Sequence, residues 1–181
     1  TYTTTVTEPA AIVVNPTITN VACAGGNTGA ISISVSGGNG GYTYNWGGGI
    51  TTQNRTGLAA GSYSVTVSDA LGCTGVNTSS VTQNSSLTIN AVAGNVSCNG
   101  GSNGTITVTP TGGTTPYTFN WGGGITTQNR SGLTSGSYTV TVNDNAGCSG
   151  TASATISQPA AISAATTVTN VSCNGGNNGA I

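Results

Sequence analysis

The sequence predicts an all-β protein, built as a tandem array of antiparallel β-sandwich repeats with a period of 75 residues. Three observations lead to this prediction. Residues return at a fixed step along the chain, apolar residues alternate with Ser and Thr in short runs, and no segment has the periodicity of a helix. Clusters of Gly and Asn separate the alternating runs, as turns separate strands.

One segment and the cysteines show the period most clearly. NWGGGITTQNRTGL at 45–58 returns as NWGGGITTQNRSGL at 120–133, with one change in fourteen residues. Cys23, Cys98 and Cys173 are spaced by 75 residues. Two periods and a 31-residue remainder therefore make up the 181 residues. Such a period is too long for one coil of a solenoid and suits a small β domain.

Within each period the apolar residues mark short strands. The alternating runs of the first repeat, each followed by its counterpart in the second, are 31–36 and 105–109, 42–46 and 117–121, and 63–68 and 138–143. Their apolar side chains lie on one face and their polar side chains on the other, which is typical of antiparallel sheets. About seven short strands in one period, with aromatic residues on the third, predict an immunoglobulin-like sandwich.

The period also predicts the domain organisation. Residues 1–8 would be the last strand of a preceding repeat, and 159–181 the start of a following one. Two complete sandwich repeats would occupy 9–83 and 84–158. Since the chain contains no Met and begins at Thr1, we expect it to be an internal piece of a longer polypeptide.

Charge is scarce, and this excludes several classes of function. Only 3% of the residues are charged and none is His, whereas about 25% are charged in an ordinary soluble domain. Two Arg cannot neutralise a run of phosphates, so nucleic acid is excluded as a partner. General acid–base catalysis needs titratable groups close together, so we expect no enzyme activity and no cofactor. No apolar run approaches the length of a membrane span, so we expect no membrane insertion.

Trp46 and Trp121 end the aromatic runs, and two roles are open to them. They could form a stacking platform for sugars, as in a carbohydrate-binding module. They could instead be the buried Trp on the third strand of an immunoglobulin-like sandwich. Because the neighbouring aromatic residues point the same way, we favour the structural role. Tyr63 and Tyr138, which begin the next alternating run, belong to the same structural set.

Asp69 and Asp144 directly follow a predicted strand, in SDALGC and NDNAGC. An Asp in this position caps its own tight turn, and the Gly supplies a positive φ. Calcium binding is the alternative, but calcium needs several clustered carboxylates and each repeat has one, so we expect no metal site. Arg55 and Arg130 balance these aspartates one for one, and we expect a structural contact, either an ion pair or stacking on Trp. Glu8 accounts for the net charge of −1.

Five Cys without His favour disulfides in an oxidising, extracellular setting over a zinc site. Two pairings are open. One bridges each repeat internally, Cys23 to Cys73 and Cys98 to Cys148. The other joins Cys23 to Cys148 across the junction of two repeats. The second and sixth strands of an immunoglobulin-like sandwich run parallel, so the start of one and the end of the other lie too far apart for a disulfide. This argument favours the junction pairing.

Six segments share one joint pattern: VACAGGNTGAISISV (21–35), LAAGSYSVTVSDALGC (58–73), VSCNGGSNGTITV (96–108), GGTTPYTFNW (112–121), LTSGSYTVTVNDNAGC (133–148) and ATISQPAAI (154–162). Together they resemble the SprB-type repeat of very large Bacteroidota surface adhesins, above all those used in gliding motility. The resemblance implies type 9 secretion, a cell-surface location at the outer membrane, and no catalytic residues. Two departures are Asn39-Gly-Gly41 in place of the usual Pro before Tyr42, and Asn178 where an acidic residue is common.

These inferences combine into a structural and adhesive function: stalk repeats of a long extracellular fibre that transmits force between the cell and a substratum. The expected partners are neighbouring repeats of the same chain, with surface polysaccharide, the substratum or laterally associated copies as further candidates. Two alternatives stay open. A carbohydrate-binding array requires exposed Trp46 and Trp121, and a self-assembling filament or sheath subunit requires large contacts between separate chains.

Overall fold

The computed structural model describes residues 2–181, and each repeat contributes six strands at the same positions of the period. Those of the first repeat are β1 (Val13–Thr19), β2 (Gly29–Ser36), β3 (Thr43–Asn45), β4 (Arg55–Leu58), β5 (Gly61–Ser68) and β6 (Thr74–Val81). Those of the second are β7 (Thr88–Gly94), β8 (Gly104–Thr111), β9 (Thr118–Asn120), β10 (Arg130–Leu133), β11 (Gly136–Asn143) and β12 (Ser149–Ile156). Nowhere in residues 2–181 is there a helix long and apolar enough to cross a membrane.

The strands of each repeat form two three-stranded sheets. In the first repeat the strand orders are β1-β2-β4 and β3-β5-β6, and in the second they are β7-β8-β10 and β9-β11-β12. All four pairings within the first repeat are antiparallel. These orders correspond to strands A-B-E and C-F-G of an immunoglobulin domain. Of the seven strands of that domain, each repeat lacks only strand D. The predicted fold class, an all-β array of immunoglobulin-like sandwich repeats, is confirmed.

A seventh strand between β3 and β4 is replaced by a turn and two amide side chains. Gly47–Gly49 all have positive φ and form a tight turn. Gln53 Nε2 donates to the backbone oxygen of Ile33 at 2.7 Å, and Asn54 Oδ1 accepts from the Ile33 amide at 2.9 Å. These side chains satisfy the backbone of β2 beyond the end of β4, so no further strand is needed there. The predicted count of about seven strands is therefore too high by one.

Alternation along the strands places every second side chain in the core. On β2 and β5, Ile31, Ile33, Val65 and Val67 are buried, while the Ser and Thr between them are exposed or half-buried. Each fully buried Ile or Val contributes about 1.5–3 kcal/mol to the free energy of unfolding. The buried apolar residues of the second repeat lie at matching positions: Val96, Ile106, Val108, Leu133, Val140, Val142, Ala154 and Ile156.

The end of each repeat is tied back to its own first loop. The Val21 amide donates to the backbone oxygen of Thr82 at 2.9 Å, and the Gly25 amide donates to Gln83 Oε1 at 2.8 Å. The same bonds recur in the second repeat, from Val96 to Ser157 and from Gly100 to Gln158. The segment after the last strand therefore lies beside the cysteine loop of its own repeat.

Residues 2–8 contain no strand in this structure, and the last strand of a preceding repeat at 1–8 stays a prediction. The residues one and two periods after 2–6 lie in β6 and β12. Val6 is 96% exposed, whereas Val81 and Ile156, at the same position of the period, are 2% and 1% exposed. A strand needs a hydrogen-bonding neighbour: β6 pairs with β5, and residues 2–8 have no such neighbour in this structure.

Residues 159–181 likewise contain no strand element in this structure, and the start of a following repeat there stays a prediction. They contain a single isolated bridge, between Thr169 and Ala180. Ile181 is 92% exposed, while Ile106, one period earlier, is fully buried. The missing sheet partners again account for the difference.

Residue packing divides the chain into two compact units. The first comprises the residues up to Asn90 together with Thr109–Thr126 and Val140–Ala152, and the second comprises Ala91–Val108, Thr127–Thr139 and Ser153–Ile181. This division runs through the second repeat. The domain boundaries at 83/84 and 158/159 stay predictions from the sequence period.

Candidate functional site

The aspartate after β5 organises the turn that leads into β6. Asp69 Oδ1 accepts hydrogen bonds from the backbone amides of Leu71 and Cys73, at 3.0 and 2.9 Å. Its Oδ2 accepts two more from the backbone and the side chain of Asn39, both at 2.9 Å. Gly72 has a φ of +86°, the left-handed conformation that this turn requires. The carboxylate therefore joins two turns and presents Cys73 at the surface.

Asp69 is buried, yet it is a stable anion. Burial raises the pKa of its carboxyl group, but hydrogen bonds outweigh that effect and lower the pKa to about 2. The strongest of them comes from the side chain of Asn39, and the backbone amides of Asn39, Cys73 and Leu71 supply the others. The charge therefore stabilises the turn.

Asp144 has the same arrangement in the second repeat. Its Oδ2 accepts from the Thr114 amide at 2.9 Å, and its Oδ1 accepts from the amides of Ala146 and Cys148 at 2.9 and 2.8 Å. Burial raises the pKa of Asp144, and the backbone hydrogen bonds lower it by more, so the net shift is downward. Both aspartates thus hold a cysteine at the end of a rigid turn.

Trp46 follows β3 and is half-buried, less than the full burial expected of a core Trp. It packs against the core, and its Nε1 donates to the backbone oxygen of Thr52 at 2.8 Å. The guanidinium carbon of Arg55 lies 5.6 Å from the centroid of the Trp46 ring and 5.1 Å from that of Tyr63. Arg55 therefore lies over two aromatic rings in cation–π contact.

The second repeat has the same aromatic and cationic residues in the same places. Trp121 is again half-buried. The Arg130 guanidinium carbon lies 5.3 Å from the centroid of the Tyr138 ring. The Tyr138 hydroxyl donates to the backbone oxygen of Thr134 at 3.0 Å, as Tyr63 does to Ala59. These contacts all lie within one repeat.

Cys23, in the loop between β1 and β2, forms a disulfide with Cys148, which directly precedes β12. Their Cα atoms lie 5.5 Å apart, as a disulfide requires, although 125 residues separate them in sequence. Asn84 lies at the same place: its Nδ2 donates to the backbone oxygen of Ala22 and to Thr114 Oγ1, both at 3.0 Å. We call this contact between a loop of the first repeat and a turn of the second the closed junction.

Cys73, Cys98 and Cys173 carry exposed, unpaired thiols. The alternative pairing within repeats, Cys23 to Cys73 and Cys98 to Cys148, is not formed. The loop of Cys23 lies beside Gln83, after the end of β6, while Cys73 directly precedes the start of that strand. Eight residues of strand separate the two places, which is roughly 26 Å and far beyond the reach of a disulfide.

Two features of the site were not identified from the sequence. One is the pair of amide side chains, Gln53 and Asn54, that extends the hydrogen bonding of β2; the unchanged TTQNR in both copies was the available signal. The other is Asn84, because its position at the predicted boundary between the two repeats gave no sign of a role in the closed junction. No group of three or more Cys, Asp, Glu or His side chains that could hold a metal occurs in residues 2–181.

Comparisons with known proteins bear on the identity of the chain. No curated protein matches it. Among solved structures, it is similar to one described under "Structural basis for Dscam isoform specificity" (13% identity, 84% of this chain and 47% of that chain, TM-score 0.35). It is also similar to the C-terminal 282-residue fragment of intimin in complex with the intimin-binding domain of the translocated intimin receptor (17% identity, 84% and 64%, TM-score 0.36). The chain thus spans about half the length of that Dscam chain.

The family model named SprB repeat matches two segments, residues 15–51 and 90–126. Both begin within the first strand of a repeat and end just after the glycine turn that follows the third. Two segments that match the SprB repeat, each within an immunoglobulin-like sandwich, support a structural repeat of a surface adhesin-like protein. The chain therefore contains two segments that match the SprB repeat, and these cover less than half of its residues.

Proposed function

We propose that this chain is a stalk segment of a long extracellular surface fibre, and that its repeats transmit force between the cell and a substratum. The disulfide between Cys23 and Cys148 is the observation that carries the proposal, since it links two repeats outside the main chain. Under tension, the residues between the two cysteines cannot extend while the bond is intact. A load-bearing chain gains from such a link, whereas a module that only binds a soluble ligand has no need of it.

The use of charge within each repeat supports the same function. Asp69 is held by turn amides and Arg55 lies over two aromatic rings. Most of the exposed surface is therefore made of hydroxyl, amide and small apolar groups. Without like-charge repulsion, neighbouring fibres can pack closely side by side. We accordingly propose lateral self-association and contact with neutral polysaccharide as its interactions, besides neighbouring repeats.

The family resemblance supports the finer parts of the proposal. SprB-type repeats imply export by the type 9 secretion system, attachment at the outer membrane and, in gliding bacteria, movement along the cell surface. We propose these properties for the protein that contains this chain.

A carbohydrate-binding array is less well supported. A sugar platform needs an exposed indole face, but Trp46 is half-buried, Arg55 lies over its ring, and its Nε1 is engaged by Thr52. Blue-shifted tryptophan fluorescence that resists acrylamide quenching supports the structural role. Red-shifted, readily quenched emission that responds to added polysaccharide supports sugar binding instead.

The stalk proposal is tested on native cells with an antibody raised against residues 1–181. We expect labels at regular intervals along fibres that project from the cell surface. After boiling in SDS with reductant, the antibody should detect one very large polypeptide, because a stalk is one continuous chain. Release of short chains under these conditions would identify a polymer of subunits and contradict the stalk.

A further inference from the structure

Each repeat carries both halves of the closed junction, but only one pair of halves meets in this structure. Cys98 lies one period after Cys23, and Cys73 lies one period before Cys148. Both Cys98 and Cys73 are exposed. We propose that Cys98 forms a disulfide with the turn cysteine of a further SprB repeat, and that Cys73 does so with the loop cysteine of another. The junction bridge is then repeated along the whole array.

The loop half is already formed at Cys98. In the closed junction the Gly26 amide donates to the backbone oxygen of Cys23 at 3.0 Å, and the Gly101 amide donates to that of Cys98 at the same distance. Gln83 and Gln158 fasten the two loops with equivalent hydrogen bonds, of 2.8 and 2.9 Å. Cys98 is therefore presented by the same scaffold as Cys23.

The turn half is already formed at Cys73. Its amide donates to Asp69 Oδ1 at 2.9 Å, and the Cys148 amide donates to Asp144 Oδ1 at 2.8 Å. Both turns therefore hold the cysteine backbone on a carboxylate in the same way. Neither half needs to rearrange before it can pair.

The groove beside Cys98 matches the surface that the turn covers in the closed junction. Ser97–Asn99 and Pro159–Ile162 line this groove. In the closed junction the corresponding residues, Cys23, Ala24, Ser86 and Leu87, face the turn at 147–149. Leu87 is half-buried there, while Ile162, at the same position of the period, is 100% exposed. The apolar side chain of Ile162 is thus exposed at a position that is covered one period earlier. We infer that another repeat of this kind covers it.

The spacing gives the series a property that a single bridge lacks. The two bridged cysteines are 125 residues apart, whereas the repeats follow one another every 75 residues. Successive disulfide loops would therefore overlap by 50 residues. A backbone cut anywhere in the interior of the array would be spanned by at least one bridge, so the fibre would stay covalently continuous after a single proteolytic cleavage.

Each bridge forms by ordinary thiol–disulfide exchange. The two cysteine thiols lose two protons and two electrons as the S–S bond forms, and an external disulfide such as oxidised glutathione accepts them and leaves as two thiols.

The series of bridges deepens the proposed stalk function, and its biological role rests on that proposal. The pairing can nevertheless fail while the fibre is still one continuous chain, so the two are tested separately.

The test uses the full chain extended by one repeat, namely residues 1–181 followed by a second copy of 107–181, which keeps the period. The extended chain is refolded in a glutathione redox buffer, its free thiols are capped, and it is denatured and digested without reductant. With two Arg and no Lys in the original chain, trypsin cuts only after Arg55, Arg130 and the added copy of Arg130. We expect fragment 56–130, which contains Cys98, to be linked to the last fragment, which contains the added copy of Cys148.

Two variants assign the bond. Cys98→Ser should release fragment 56–130 as a free peptide, whereas Cys73→Ser should leave it linked. The bridge between fragment 1–55 and the fragment that follows Arg130 serves as an internal reference in the same digest. Release of fragment 56–130 from the unsubstituted extended chain, whether or not the reference bridge has formed, would overturn the proposal.

Discussion

The second repeat and residues 159–181 share a nine-residue segment that is almost identical, but only the second repeat is folded into sheets. VSCNGGSNG at 96–104 and VSCNGGNNG at 171–179 differ at one position. The cysteine turn forms in both, with the amide two residues after the Asn bonded to the cysteine backbone oxygen at 3.0 Å. Yet Val96 is 3% exposed and Val171 is 51% exposed.

This difference separates local from non-local determinants of the fold. Hydrogen bonds within six residues are enough for the cysteine turn: Asn103 Oδ1 accepts from the Ser97 amide, and Asn178 Oδ1 accepts from the Ser172 amide. Burial of the valine depends on strands that come later in the repeat, because the Val96 amide bonds to the backbone oxygen of Ser157. Turns are therefore encoded locally, and strands form only when the rest of their repeat is present.

The largest effect on stability is expected when Ile is replaced by Ala at one position of the period, once where the side chain is buried and once where it is exposed. Ile106→Ala removes a fully buried side chain and should lower the free energy of unfolding by about 2–5 kcal/mol. Ile181→Ala, at the same position of the period but exposed, should change it by no more than about 0.5 kcal/mol. Urea denaturation followed by circular dichroism measures both. Equal losses in the two variants would show that residues 159–181 are packed as the second repeat is.

The closed junction offers the next comparison, between a paired and an unpaired cysteine. Cys23→Ser removes the disulfide to Cys148 and should cost about 2–4 kcal/mol, since the unfolded chain is no longer constrained. Cys173→Ser is the matched control, because its thiol is exposed and unpaired. Thermal unfolding under non-reducing conditions tests the pair, and unchanged midpoints in both variants would contradict a structural role for the bridge.

Acid should destabilise the turns through their aspartates. The pKa of Asp69 is about 2 in the folded chain against 3.8 when unperturbed, so the unfolded state takes up its proton first as the pH falls. The contribution of Asp69 is therefore complete well above pH 3.8, and it is lost as the pH falls from there towards 2.

Asp69→Asn tests this dependence. The variant should be less stable than the parent at pH 7, and the gap should narrow as the pH falls from 5 to 2. Urea midpoints measured across that range give the comparison. A gap that stays constant with pH would mean that the ionised carboxylate is not what stabilises the turn.

The smallest effect is expected at the aromatic rings. Arg55→Ala removes the cation from the faces of Trp46 and Tyr63 and should cost about 0.5–1 kcal/mol at this half-exposed place. Arg55→Lys keeps the charge and should recover part of the loss. Urea denaturation again provides the measurement. A variant with Ala that matches the parent would show that the stacked guanidinium contributes nothing.

The repeated pattern was enough to predict the fold class, but two of its consequences needed the structure. The alternation of Ile31, Ile33 and Val35 with polar residues indicates a strand, and the period predicts the same strand in the second repeat. The pattern could not show that Gln53 and Asn54 replace a strand, because side chain to backbone bonding depends on where a non-local strand lies. Residues 2–8 form no strand in this structure for the same reason, since a strand sequence needs a neighbouring strand, and their place in a preceding repeat stays a prediction.

The sequence predicted which residues form the candidate site better than it predicted how they are arranged. The turn role of Asp69 follows from local sequence, because its Oδ1 accepts from the Leu71 amide two residues away, whereas the bond from Asn39 joins residues 30 positions apart. Trp46 was expected to be buried in the core, but it is half-buried, with Arg55 over its ring. Local chemistry is readable from the sequence, whereas the extent of burial depends on the packing of the whole repeat.

Stretching single molecules of the chain from its two ends tests most directly whether the linked repeats bear load. With the disulfide intact, force passes from Cys23 to Cys148 and bypasses the residues between them. We expect the fully extended chain to be roughly 450 Å longer in reducing buffer, because 125 residues at up to about 3.6 Å each are released. The reduced chain should also show two unfolding steps of similar length. Equal extension in both buffers, or smooth extension without steps, would contradict a stalk of linked, folded repeats.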